Sequence, residues 1–173
     1  MKLEWMGKYR DFVAAIFRSG NAYSQIVKQQ TSGYESSFGP YEVQIMEHII
    51  EYGDQNPNMA WYAKQLGMVP STFSKYVKQL ENKGLVEKYK TEGNRKNIIL
   101  RLSSLGQKEY DEYSKMAYDL WFSNMFKLLD KMSDKQIKQM QEVIELWGSW
   151  CTDLADNPEE KATEKLIKIS QSK

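Results

Sequence analysis

At 173 residues the chain accommodates one domain, or one domain with long helical extensions. Its one cysteine excludes an internal disulfide framework and points to a reducing cytoplasm. Charges at Lys2, Glu4, Lys8, Arg10 and Asp11 break the N-terminal apolar runs, and no run of about 18 apolar residues exists, so neither a signal peptide nor a membrane span is expected.

Residues 3–30 predict a long helix, with Phe12, Val13, Ile16, Phe17, Tyr23, Ile26 and Val27 recurring at three- and four-residue steps. Thr31-Ser32-Gly33 ends it. A second helix is expected from Pro40 to Tyr52, burying Val43, Ile45, Met46, Ile49 and Ile50. The polar run from Gly53 to Asn58 is a turn. Tyr62, Ala63 and Leu66 then mark the inner face of a short helix, which Gly67 ends by allowing a positive φ. Pro70 opens the next helix, at a position where its fixed φ is already suitable. That helix sets Phe73, Val77 and Leu80 on one face and Ser71, Lys75, Lys78 and Asn82 on the other. Gly84 stops it.

Residues 85–90 and 97–102 alternate like two short strands, joined by the polar tip Thr91-Glu92-Gly93-Asn94-Arg95-Lys96. Ser103 or Ser104 caps a helix running to about Lys131, with Tyr113, Met116, Ala117, Leu120, Trp121, Leu128 and Leu129 as its apolar positions. Ser133-Asp134-Lys135-Gln136 is a capping box for one more helix, which carries Ile137, Met140, Val143, Ile144, Trp147, Trp150, Cys151 and Leu154. Asp156-Asn157-Pro158 ends it, and the charged residues 159–173 read as a frayed helix or a disordered tail. The fold class is therefore mainly α with a small β-hairpin wing: a winged helix-turn-helix carrying N- and C-terminal helices.

Net charge of +1 hides an uneven distribution. Residues 1–60 carry 5 Lys/Arg and 7 Asp/Glu, residues 61–101 carry 9 and 3, and residues 102–173 carry 10 and 13. The cations gather on the helix-turn-helix and wing, the footprint of a module that binds a polyanion. Within it, Ser71, Thr72, Ser74, Lys75 and Lys78 are the candidate DNA contacts on the second helix. The serines and Thr72 lie near its start, where backbone N–H groups also face phosphate. Lys75 sits centrally and suits guanine O6 or N7, while Lys78 suits phosphate. At the wing, Arg95 suits a narrow minor groove and Lys96 a phosphate.

The remaining chemistry is sparse. His48 is the sole histidine, and with one cysteine it leaves a zinc site to be completed by carboxylates alone, so no metal is expected. No nucleophile–base pair or Gly-rich phosphate loop appears, so neither catalysis nor a cofactor is expected. Cys151 lies on an apolar stripe and reads as a small hydrophobe.

The chain resembles the MarR (multiple antibiotic resistance regulator) family of bacterial winged-helix transcription factors, most sharply over residues 60–106. The family pattern LA-x-x-LG is matched by Tyr62-Ala63-Lys64-Gln65-Leu66-Gly67. Its STVSR-x-V-x-x-LE-x-x-GLV segment is matched by Ser71 to Val86. Asn94-Arg95-Lys96 stands for Asp-Arg-Arg, and Leu102-Ser103-Ser104-Leu105-Gly106 for LT-x-x-G. Asn94 replaces the wing aspartate, and Val69 stands where a capping Ser is common.

The resemblance implies a homodimer bound to a pseudo-palindromic double-stranded DNA operator. It divides the chain into an N-terminal dimerisation helix (1–38), a winged helix-turn-helix (39–103), C-terminal dimerisation helices (104–157) and a charged tail (158–173). It further implies a cytoplasmic repressor released by a small aromatic or amphipathic effector. The aromatics Trp5, Tyr9, Phe12, Phe17, Tyr23, Tyr34, Phe38, Tyr41, Trp61, Tyr62 and Trp121 fall on the helices that flank the ligand cleft in relatives. Relatives that sense peroxide carry their cysteine near the start of the first helix, where this chain has none. Two other readings fit the same residues: a DNA-binding regulator without an effector, and a protein-interaction scaffold whose winged helix no longer binds DNA.

Overall fold

A computed structural model describes residues 4–29, 39–91, 94–149 and 166–168. The chain divides into two units, Met1–Tyr41 and Glu42–Lys173. In the first, the single helix expected over residues 3–30 is interrupted. A 3-10 turn (Glu4–Tyr9) precedes α1 (Arg10–Gln29), and Gly7 inside that turn has φ 49° and ψ −131°. That conformation is open to glycine and closed to most residues, so the helical hydrogen bonds cannot run through it. The apolar side chains here stay uncovered: Trp5, Tyr9, Phe12, Phe17 and Tyr23 are all exposed, Trp5 by 80%. The Tyr23 ring meets Tyr41 edge-on at 6.4 Å. The expected helix stop at Thr31-Ser32-Gly33, with Tyr34 and Phe38, lies outside the described residues.

α2 (Pro40–Tyr52) buries Val43, Ile45, Met46 and Ile49 as its spacing predicts, but Ile50 is 41% exposed. Ile50 follows Ile49 by about 100° around the helix, which carries it off the core-facing stripe. Glu42 is buried near the start of α2, and Lys83 donates to both its carboxylate oxygens at 2.8 Å. That pair ties the start of α2 to Lys83, 41 residues further along the chain. On α2's other side, Tyr110 Oη donates to Glu47 at 3.2 Å.

α3 (Met59–Gln65) starts on Asn58, whose Oδ1 accepts the Trp61 N–H at 2.8 Å. It ends in a closure that repeats at the end of α4 (Pro70–Asn82). Met68 N–H bonds Ala63 O and Gly67 N–H bonds Lys64 O; Leu85 N–H bonds Leu80 O and Gly84 N–H bonds Glu81 O, at 2.8–3.1 Å. Both closures need a left-handed residue, supplied by Gly67 (φ 60°) and Gly84 (φ 72°). The core lies beneath these helices, where Tyr62, Phe73, Ile45, Met46, Leu80, Leu100 and Val77 are fully enclosed. Each such burial contributes roughly 1.5–3 kcal/mol. The Tyr62 and Phe73 rings lie nearly parallel, 6.2 Å apart.

β1 (Val86–Thr91) and β2 (Asn94–Leu102) form the antiparallel wing hairpin, paired from Val86↔Leu102 to Lys90↔Ile98. The ladder then breaks, and Thr91 pairs with Asn94. Asn94, Arg95 and Lys96 therefore belong to β2 and not to the hairpin tip expected from sequence. Asn58 bridges Ile99 on the far side of β2.

α5 (Ser104–Ala117) is locked to the base of the wing. Ser103 Oγ accepts the Gly106 N–H at 2.9 Å and donates to Gly84 O at 2.6 Å, while Ser103 N–H bonds Leu85 O at 3.0 Å. A Cβ on Gly106 would sit 2.1 Å from Leu85 O, so only glycine permits this approach. The helix expected to reach Lys131 changes pitch at a π turn (Tyr118–Phe122) before α6 (Ser123–Leu129). Such a turn takes in one extra residue and rotates the face that follows.

α7 (Asp134–Gly148) begins with the expected capping box: Gln136 Oε1 accepts the Ser133 N–H at 2.9 Å and Ser133 Oγ accepts the Gln136 N–H at 3.4 Å. No residue of α6 or α7 is buried, and Leu120, Trp121, Phe122, Met125, Phe126, Leu128, Val143, Ile144 and Leu146 are exposed. Trp150, Cys151, Leu154 and the stop at Asp156–Pro158 lie outside the described residues.

The tail corrects one expectation. Residues 166–168 form a strand, β3 (Leu166–Lys168), antiparallel to β1, where a frayed helix or disorder was expected. The sheet order is β2-β1-β3.

Candidate nucleic-acid interface

The second helix of the helix-turn-helix, α4, is sorted by its own periodicity. Phe73, Val77 and Leu80 fix one face in the core, which turns Ser71, Ser74, Lys75 and Lys78 out to solvent; Thr72 is half-buried at the edge. These five are brought together as the sequence predicts. Lys75 Nζ lies over the ring of Tyr76, 5.5 Å from its centroid.

The start of α4 is laid bare. Val69 holds the cap position with φ −61° and ψ 134° but has no side-chain acceptor, and Pro70 has no N–H. The first helical bond runs from Phe73 N–H to Val69 O at 3.0 Å. The backbone N–H groups of Ser71 and Thr72 are thus left without a side-chain cap, at the positive end of the helix dipole. A capping serine would have occupied one of them.

The wing strands carry further cations. Arg95 and Lys96 lie in the backbone of β2 directly after the hairpin tip, and Lys90 lies in β1 opposite Ile98. Side-chain positions of Arg95 and Lys96 lie outside the described part of the structure.

Other cations of the basic segment serve the fold. Lys83 holds Glu42, and Lys88 Nζ bonds Glu81 at 2.7 Å. Arg101 donates from Nη1 to Leu100 O at 2.9 Å and from Nη2 to Asn56 Oδ1. A charge count does not reveal these roles, and the Glu42 partner of Lys83 and the Asn56 partner of Arg101 stand more than 40 residues away in sequence. Of the remaining cations in this segment, Lys75 and Lys78 are exposed on α4, Lys64 is exposed on α3, and Lys90, Arg95 and Lys96 lie on the wing strands.

Among the described residues no group of His, Cys, Asp or Glu is placed to hold a metal. No described helix is long and apolar enough to cross a membrane. His48 is half-buried; burial pulls its pKa below the usual histidine value, opposed by a contact between Nδ1 and Gln44 O at 3.1 Å. Of the aromatics expected near a ligand cleft, Tyr62 is instead a core residue, 0% exposed. Burial raises its pKa far above the ordinary tyrosine value, so the phenol stays neutral.

No protein-family model and no curated protein matches the chain in sequence. Solved structures do match in shape. A MarR/EmrR-family transcriptional regulator from Acinetobacter sp. ADP1 aligns at a TM-score of 0.58 and 18% identity, over 82% of this chain and 94% of that one. Streptococcus pneumoniae FabT in complex with DNA aligns at 0.55 and 18%, over 83% and 94%. CouR from Rhodococcus jostii RHA1, bound to p-coumaroyl-CoA, aligns at 0.58 and 18%, over 80% and 92%. The agreement covers most of the chain, which has the fold of the MarR-family transcriptional regulators, mainly helical with an antiparallel wing.

Proposed function

We propose that the chain is a MarR-family transcriptional regulator: a cytoplasmic homodimer that binds a pseudo-palindromic operator in double-stranded DNA and acts as a repressor. The observation that carries this reading is α4. Its apolar face is sealed into the core, and its opposite face presents Ser71, Ser74, Lys75 and Lys78 beside uncapped N–H groups. Such a helix lies in a major groove, its N-terminal amides on phosphate and Lys75 at a base edge. Arg95 and Lys96 extend the contact from the wing.

Dimerisation accounts for the apolar surface of the terminal helices. Trp5 to Tyr23 at one end of the chain and Leu120 to Leu146 at the other are too apolar to remain in water. A two-fold interface covers both and sets two copies of α4 about one helical turn of DNA apart. Release by a small aromatic or amphipathic effector completes the reading; CouR, whose structure holds p-coumaroyl-CoA, supports it by likeness of fold.

Sedimentation together with titration of duplexes tests this. The chain sediments as a dimer, and one dimer binds a duplex from its own upstream region more tightly than a scrambled duplex of the same length. A stable monomer, or equal affinity for both duplexes, contradicts the reading.

A further inference from the structure

The wing has a third strand that the hairpin alone does not explain. β3 pairs with β1 through Tyr89↔Lys168, Lys90↔Ile167 and Thr91↔Leu166. On the opposite edge of β1, the ladder to β2 is regular only as far as Lys90 and breaks between Lys90 and Thr91. β3 therefore lies along β1 over Tyr89, Lys90 and Thr91, the stretch at whose end the pairing with β2 shifts register. Lys168 Nζ bonds the Glu87 carboxylate, and Tyr89 Oη donates to the same carboxylate at 2.5 Å. Two side chains from neighbouring strands thus converge on one anion.

We propose that the outer edge of β1 is a strand-accepting surface, and that the chain's own residues Leu166–Lys168 occupy it to hold the distal half of the wing in place for DNA.

The physical case has three parts. The base of the hairpin is held by the buried Val86, Ile99 and Leu100, but a two-stranded stretch beyond such packing is marginal in water, and a third strand stabilises it. An open β1 edge would present unpaired backbone N–H and C=O groups, which an extended peptide satisfies by strand addition. Finally, the stretch that β3 supports leads straight into the tip and then into Asn94, Arg95 and Lys96. Ordering that stretch before DNA arrives removes an ordering penalty from binding. The Lys168–Glu87 pair also neutralises a carboxylate on the wing, where a bare negative charge would oppose phosphate. The effect on DNA rests on the function proposed above; the strand-accepting edge does not.

The test uses the full-length chain and two readouts. Lys168→Glu sets two carboxylates against each other, and adding Glu87→Lys restores an opposite-charge pair at unchanged net charge. Ile167→Pro leaves every charge in place and puts a residue without an N–H at the centre of β3. Amide hydrogen exchange at whichever of Tyr89, Lys90 and Thr91 turn their N–H toward β3 should accelerate on the order of tenfold in Lys168→Glu and in Ile167→Pro, and recover in the charge swap. Amides in the middle of α4 should not change. Operator affinity should fall about fivefold in both single variants, equivalent to about 1 kcal/mol, and recover in the swap. Exchange that is unchanged in both single variants, or that fails to recover in the swap, overturns the strand-accepting edge even if DNA binds. Exchange that changes as expected while no variant, nor the parent, binds any duplex leaves the edge standing and overturns the function.

Discussion

Gly106→Ala is the sharpest test of how the wing is joined to the rest of the fold. A Cβ there meets Leu85 O at 2.1 Å, Leu85 C at 2.9 Å and Leu85 Cα at 3.2 Å. The nearest contact is more than about 1 Å inside van der Waals separation. All three atoms are backbone, so no rotamer change relieves the clash. Either α5 lifts from the start of β1, or the Ser103 N–H to Leu85 O bond breaks. Overpacking of this kind costs about 1–3 kcal/mol, and the rigidity of the obstacle puts this case near the upper value. For a chain of this size that lowers Tm by roughly 6–12 °C. Ser104→Ala, at an exposed neighbour on the same helix, is the control and should stay within about 0.5 kcal/mol of the parent. Urea and thermal denaturation followed by circular dichroism measure both. A Gly106→Ala chain as stable as the parent would refute the close approach of α5 to Leu85.

Lys78→Ala should weaken binding to operator and random duplexes equally and make the log K–log salt slope shallower by about 0.9 per subunit, as a phosphate contact requires. Lys75→Ala should cost on the order of 1 kcal/mol on the operator and relax preference at one base position per half-site. Equal losses for both variants on all duplexes would undo that division of roles. His48 gives a single imidazole resonance, being the only histidine, and burial should move its midpoint below 6.5. Its folded pKa is lowered, so its contribution to stability is present above 6.5 and is lost as pH falls through the folded midpoint. A proton NMR titration with a midpoint at or above 6.5 would contradict its burial.

What the sequence made legible was local. The periodicity of Phe73, Val77 and Leu80 fixes both the boundaries and the outward face of α4, because a 3.6-residue repeat admits one burial solution. Gly67 and Gly84 mark helix ends because both closures require a left-handed residue. Ser133 and Gln136 announce α7 because both halves of a capping box lie within four residues of chain. The missing parts were set by partners distant in sequence. Lys83 and Arg101 enter the sequence reading only through the charge count of residues 61–101, and the structure pairs them with Glu42 and Asn56. Asn94, Arg95 and Lys96 read as loop, being polar, yet they continue β2. β3 was hidden for a similar reason. Leu166-Ile167-Lys168 is short, sits among charges, and becomes a strand only because β1 offers an edge. Its one signal was two adjacent apolar residues in a polar tail. Gly7 carried a signal as well, a glycine within an apolar-periodic run, and it breaks the first helix where the spacing alone reads through.

The most direct test of the central claim is the salt dependence of DNA binding. The proposed function assigns four cations per subunit to phosphate or groove contact: Lys75 and Lys78 on α4, and Arg95 and Lys96 on β2. A dimer then neutralises about eight phosphates, and log K should fall against log salt with a slope of roughly −7. Fluorescence anisotropy of a labelled operator duplex at increasing potassium chloride measures that slope. A slope near −7 is the expected result. A flat response, or no binding at low salt, would contradict the claim that α4 and the wing form a DNA-binding surface.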